Sequence, residues 1–130
     1  MDKQKEAELA YRASLLDRSL KHLRVELEKV VVFLTELERA KETLKTKKDS
    51  DIMFNVGAGI FGYAVLTKEE YLMPIGFGYY IKTTREEAIK KVEEQIEKTK
   101  SYYEKINAEV KKAESELINI MREAREAEEE

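Results

Sequence analysis

Two stretches of the chain repeat apolar residues in unbroken steps of three and four, and the stretch between them does not. The first seam runs Leu9, Ala13, Leu16, Leu20, Leu23, Leu27, Val30, Leu34 and Leu37, then Lys41 and Leu44. Such spacing is a heptad repeat, the pattern of a helix that turns one narrow stripe to a partner helix. Lys, Arg and Glu fill most of the remaining positions, as a solvated face requires. Lys41 interrupts the seam, where its stem can pack while its ammonium reaches water. The pattern predicts a helix over about 5–48, closed by Lys45, Lys47 and Lys48 at the negative end of its dipole.

The second seam reads Ile89, Val92, Ile96, Thr99, Tyr103, Ile106, Val110, Ala113, Leu117, Ile120, Ala124 and Ala127. Thr83-Thr84-Arg85-Glu86-Glu87 opens it, since either Thr can cap the helix and each has a Glu three residues on. A helix over about 84–128 follows, fraying into the acidic tail Glu126–Glu130. Partners in an antiparallel pair keep a constant sum of residue numbers. Leu44 with Ile89 gives 133, and so do Leu37 with Ile96, Leu27 with Ile106, Leu20 with Ala113 and Leu9 with Ala124. Unrelated helices would not share a register over their whole lengths. The expected fold is α+β: a long antiparallel coiled coil within one chain, its two ends together, with a different kind of element at the bend.

That element occupies residues 52–82. All five glycines, the single proline and seven of the eleven aromatic residues fall here. Ile52-Met53-Phe54-Asn55-Val56-Gly57-Ala58-Gly59-Ile60-Phe61 repeats in kind, nineteen residues on, as Tyr71-Leu72-Met73-Pro74-Ile75-Gly76-Phe77-Gly78-Tyr79-Tyr80. Each copy is an apolar strand, Gly-x-Gly and a second strand, with glycine supplying the positive φ of a tight hairpin. Four strands are expected, at about 52–56, 60–66, 71–75 and 79–82. Pro74 marks an edge or a bulge in the third, because proline cannot donate to a ladder. Strands apolar on both faces leave a lone hairpin marginal in water and its edges open to other chains. Oligomerisation through this region follows.

Off-seam apolar residues need a separate account. Tyr11 and Leu15 near one chain end, with Ile118 and Met121 near the other, would meet at the far end of the coiled coil. Small seam residues there (Ala13, Ala124, Ala127) weaken packing, and an apolar tip of this kind could hold non-native polypeptide. Phe33, with Val31 and Val32, is placed against a neighbouring subunit or the central element.

Composition narrows the functional classes. The 130 residues suit a single domain over 1–130. Charged residues make up 39%, yet the net charge of −3 gives no footprint for nucleic acid. The absence of cysteine excludes disulfides and thiolate metal sites. No apolar run approaches a membrane span, and the N-terminus lacks a signal peptide's apolar core. A soluble, cytoplasmic protein is expected. Gly57-Ala58-Gly59-Ile60-Phe61-Gly62 is a literal G-x-G-x-x-G, but the chain continues as strand where a dinucleotide fold would open a helix. These are read as turn glycines. His22 is the only histidine and falls on a solvated face. No nucleophile–base set, phosphate loop or metal-spaced cluster is present, so no enzyme, cofactor or metal is expected.

Long helix, two Gly-turn hairpins and returning helix together resemble the prefoldin family, specifically its α-class, which has two hairpins where the β-class has one. VGAGIFGYAVL, and then IGFGYYIKTTREEAI leading into the second helix, carry the resemblance most specifically. It implies an ATP-independent holdase: α-class and β-class subunits share a β-barrel platform, and coiled-coil tips hold unfolded protein for a group II chaperonin. On this chain the assembly surface would be Ile52, Phe54, Val56, Val65, Leu66, Ile75, Tyr79 and Ile81. The client surface would be Leu9, Tyr11, Leu15, Leu16, Leu117, Ile118, Ile120 and Met121. A γ-type member, similar to the α-class, forms homo-oligomeric filaments. That self-assembling alternative stays open at this level.

Overall fold

The computed structural model describes residues 2–129. Its elements are α1 (Lys3–Leu44), β1 (Asp51–Gly57), β2 (Ile60–Val65), β3 (Glu70–Gly76), β4 (Tyr79–Thr84) and α2 (Arg85–Glu129). They form two compact units, Met1–Phe33 with Thr99–Glu130, and Leu34–Lys98.

The first unit is a pair of helical segments held by the seam. Leu20, Val30, Ile106, Val110 and Ala113 are buried together, with Leu16, Leu23, Leu27, Tyr103 and Leu117 packed against them. Leu20 is only 2% exposed and shares one core cluster with Ala113, so large and small side chains pack together there. Seam positions throughout both helices are buried or half-buried. Arg24 Nη2 reaches Glu114 Oε1 at 3.6 Å, and Tyr102 donates its hydroxyl to Glu26 Oε1 at 3.3 Å. These polar pairs lie beside the seam, as flanking positions of a coiled coil do. The tail expected to fray continues as helix to Glu129; Glu130 lies outside the described residues.

In the second unit Leu37 and Ile96 are buried, and Lys41 extends from the seam to Glu93 Oε1 at 3.4 Å. Helix α1 stops at Leu44, a few residues before its cation-rich end. Lys45 N–H turns back to the carbonyl of Glu42 and Thr46 N–H to that of Thr43, bonds three residues long that tighten and close the last turn. Asp49 then takes a left-handed φ of 69° and leads into β1. At the other helix start the choice between threonines is settled. Thr84 accepts the Glu87 N–H at 3.2 Å, while Thr83, buried, donates its hydroxyl to the Glu87 carboxylate at 3.3 Å.

The hairpins are two separate two-stranded sheets, β1–β2 and β3–β4. Their nineteen-residue repeat extends to backbone detail. Each ladder slips just before its turn, between Asn55 and Gly57 in one and between Pro74 and Gly76 in the other. The slip leaves Val56 and Ile75 without cross-strand partners, so Pro74 does sit at a bulge. Each turn has two central residues of positive φ, Ala58 (52°) with Gly59 (76°) and Phe77 (53°) with Gly78 (78°). That is the type I′ geometry, whose twist matches the flanking strands. Asn55 Oδ1 accepts the Gly57 N–H at 2.9 Å, bracing the first bulge from within.

Gly62 corrects the reading of the glycine motif. It lies inside β2, not in a turn, directly across from Phe54. A Cβ there would stand 2.8 Å from Phe54 Cζ, so the position is reserved for the aromatic ring.

Candidate functional site

The hairpins carry the largest collection of exposed apolar side chains. Of the expected assembly residues, Phe54, Val56, Val65, Ile75, Tyr79 and Ile81 are exposed, and Ile52 and Leu66 are half-buried. Leu66 lies one residue past β2 but extends its ladder, since it exchanges backbone hydrogen bonds with Asp49 and Ser50. The exposed set is wider than those eight. Met53, Ile60, Phe61, Tyr63, Leu72, Phe77 and Tyr80 are exposed too. Neighbours along a strand point to opposite faces. Exposed pairs such as Met53–Phe54 and Ile60–Phe61 therefore make both faces of the first hairpin apolar, and Tyr79–Tyr80 does so in the second. The signal for the additional residues was the unbroken apolar run: half-buried strands alternate, and strands covered on both faces do not.

Every strand here is an edge strand, because each sheet has only two. Unpaired backbone groups along apolar edges template pairing with further strands.

Glu69 fixes how the second hairpin leaves the helices. Its Oε1 accepts the backbone N–H of Lys48 at 2.9 Å and Arg85 Nη1 at 3.2 Å. One carboxylate thus joins the segment after α1, the connection between hairpins and the first residue of α2. Beside it, an open apolar groove of about 430 Å³ runs between the helices and β3–β4, lined chiefly by Ala40, Leu44, Tyr71, Met73, Pro74 and Val92. The Tyr71 hydroxyl is buried there with no hydrogen-bond partner among the described residues.

The expected client residues divide in two. Leu9 and Ile120 are buried in the seam, and Leu16 and Leu117 are half-buried against the core cluster. Tyr11, Leu15, Ile118 and Met121 are exposed. A shallow hollow is lined by Ile118 and Met121 with Arg122 and Arg125, without Tyr11 or Leu15. Val25, Val31, Val32 and Phe33 form a further exposed group on α1. Of the polar groups, Tyr102 stands out: the charge of Glu26 beside it, then partial burial and the hydrogen bond to Glu26, raise its pKa above the ordinary phenol value. His22 and Glu109 line the same surface hollow as that pair.

Among the described residues no group of three or more His, Cys, Asp or Glu side chains is placed to hold a metal ion. No helix of the described residues is long and apolar enough to cross a membrane. Two long helices bearing two open-edged hairpins define the class as an α+β coiled-coil-and-hairpin protein. The family description "Prefoldin subunit" matches residues 16–130 of this chain. A prefoldin subunit alpha from Picrophilus torridus is 30% identical over 66 residues, covering 46% of this chain and 48% of that relative, so the match spans about half its length. Filamentous PFD from Methanocaldococcus jannaschii, solved by cryo-electron microscopy, shares the fold with a TM-score of 0.67 at 16% identity, over 87% of this chain and 98% of its own. The chain belongs to the prefoldin family.

Proposed function

We propose that this chain is a subunit of an ATP-independent holdase. Its hairpins join other prefoldin subunits, of the β-class or of its own kind, in a shared intersubunit β-barrel. Its helix ends then capture unfolded polypeptide and deliver it to a group II chaperonin. The observation that carries the assembly half is the pair of separate hairpins, each apolar on both faces. Side chains such as Tyr63, 84% exposed, and Leu72, 67% exposed, have no cover within the chain. Contiguous exposed apolar surface of this kind marks an interaction site. Capture is assigned to Tyr11, Leu15, Ile118 and Met121, which are exposed without being needed by the seam. Leu9, Leu16, Leu117 and Ile120 support them from within.

Native mass measurement of the chain alone and with a β-class subunit tests the assembly. A discrete complex is expected, and a monomer under both conditions would refute the reading. For capture, Tyr11, Leu15, Ile118 and Met121 are changed together to Ser, which leaves the seam intact. Suppression of client aggregation should fall while the complex mass is unchanged. Unaltered suppression would move the client site elsewhere.

A second reading, a self-assembling filament or spacer, draws on the likeness to a filamentous relative and on the four open strand edges. Electron microscopy of the pure chain separates the two, because open filaments favour the second and closed particles the first.

A further inference from the structure

We propose that the outer face of α2 near its end selects apolar segments that carry an adjacent Asp or Glu. The inference rests on the capture reading and specifies what is captured. Ile118, Met121, Arg122 and Arg125 follow one another at i, i+3, i+4 and i+7, which places them in a single stripe on the helix surface. Together they line a hollow of about 220 Å³. That is smaller than the cavities that enclose compact ligands, but it suits one or two side chains of a passing polypeptide. The stripe has no role in the seam, which in this segment runs through Leu117, Ile120 and Ala124.

The arginines give the hollow its chemistry. Arg24 and Arg85 each form an ion pair elsewhere in the chain. Arg122 and Arg125 form none among the described residues, although Glu126 and Glu129 follow each of them by one turn. Two unpaired guanidinium forks therefore border an apolar floor. A carboxylate docking on them would accept two parallel N–H bonds, and an apolar residue beside it would cover Ile118 and Met121. Exclusion of water by that contact strengthens the charge pair. A basic residue at the same place would be repelled.

The test uses the full-length chain in its assembled form and three labelled peptides that share one apolar core, flanked by Asp, by Asn or by Lys. Binding is measured by fluorescence anisotropy. The Asp peptide should bind about fivefold tighter than the Asn peptide, the size expected of exposed charge pairs, and the Lys peptide more weakly than both. The doubly substituted R122Q/R125Q chain should lose that order, as should the unaltered chain in high salt. Equal binding of Asp and Asn peptides would overturn the selectivity while leaving capture standing. Binding of none of the three would overturn capture itself. Self-association of assembled particles that R122Q/R125Q abolishes would overturn the proposal differently, by assigning the arginines to the acidic tail of a second copy.

Discussion

The ring of Phe54 lies over the bare Cα of Gly62, so close that a Cβ at residue 62 would stand 2.8 Å from Cζ and 2.9 Å from Cε1. The two are cross-strand partners in the first hairpin. Glycine ordinarily weakens a strand, but here its missing side chain is the seat of an aromatic one. Gly62→Ala should push the ring off its seat and cost the hairpin about 1–2 kcal/mol. The check is thermal melting together with the mass of the assembled complex. Phe54→Leu should partly relieve the loss, because contacting sites couple. A Gly62→Ala chain that melts and assembles as the parent would show that the ring swings aside freely.

The two turns offer a stabilising change. Ala58 and Phe77 hold left-handed φ of 52° and 53°, where a Cβ crowds the following carbonyl and Asn is better tolerated. Ala58→Asn creates Asn-Gly, the favoured type I′ pair, and should gain about 0.5–1 kcal/mol. Phe77→Asn should give the same turn gain. Because the Phe77 ring is fully exposed in the chain, any loss of complex mass in that variant would locate the ring in an intersubunit contact.

At Glu69 the two bonds can be separated. Glu69→Gln keeps an oxygen for the Lys48 N–H but removes the charge that pairs with Arg85, whereas Glu69→Ala removes both. The ion pair is partly exposed, so screening limits its share. Melting should fall slightly in Gln and further in Ala, the latter by about 1–2 kcal/mol. The difference between parent and Gln should shrink in high salt. Equal effects of both substitutions would show that the hydrogen bond to Lys48 contributes nothing.

Tyr71 leads to a contrast between chain and complex. Its buried hydroxyl has no partner among the described residues, so Tyr71→Phe should leave the isolated chain as stable as before, or more so by about 1 kcal/mol. If an assembled neighbour supplies the acceptor, the same variant should form a weaker complex. Loss of chain stability, read by melting the unassembled subunit, would contradict this.

Alkaline titration provides a pH-dependent check. Glu26 raises the pKa of Tyr102. A group whose folded pKa is raised contributes stability below its unfolded pKa and loses it as pH rises through the folded one. The Tyr102–Glu26 contribution is therefore constant at neutral pH and disappears in the alkaline range above the normal phenol pKa. Ultraviolet titration should show Tyr102 ionising at lower pH in Glu26→Gln than in the parent, with the smaller effects of burial and Glu109 left in place.

The arms were largely legible in the sequence because a heptad repeat is a one-dimensional statement of a one-dimensional contact. Leu20 could be matched with Ala113 from residue numbers alone, and both lie in the one core cluster. The hairpins were legible from Gly-x-Gly and its repetition. Gly62 was misread as a turn residue, since its purpose lies across the ladder in Phe54 and not in its neighbours along the chain. The end of α1 at Leu44 was equally hidden: Lys45 and Thr46 are fair helix formers, and backbone bonds three residues long closed the turn first. At the far end of the helices the spacing already separated seam residues from the off-seam Tyr11, Leu15, Ile118 and Met121, which are exposed. Leu9 and Ile120 were seam residues by spacing and are buried as such, whereas Arg122 and Arg125 gained meaning only as neighbours of Ile118 and Met121 on one stripe.

The nineteen-residue repeat gives each chain two connectors of one design, with the same bulge, the same turn and the same open edges. On the proposed assembly reading, the chain is in the language of polymer chemistry a bifunctional monomer. Mixed only with itself, such a unit grows until its ends meet or material runs out, while a partner with one connector acts as an end-group and stops growth. The size of the assembly would then be set by the molar ratio of the two kinds of subunit, and a cell could adjust it through relative expression without altering a residue.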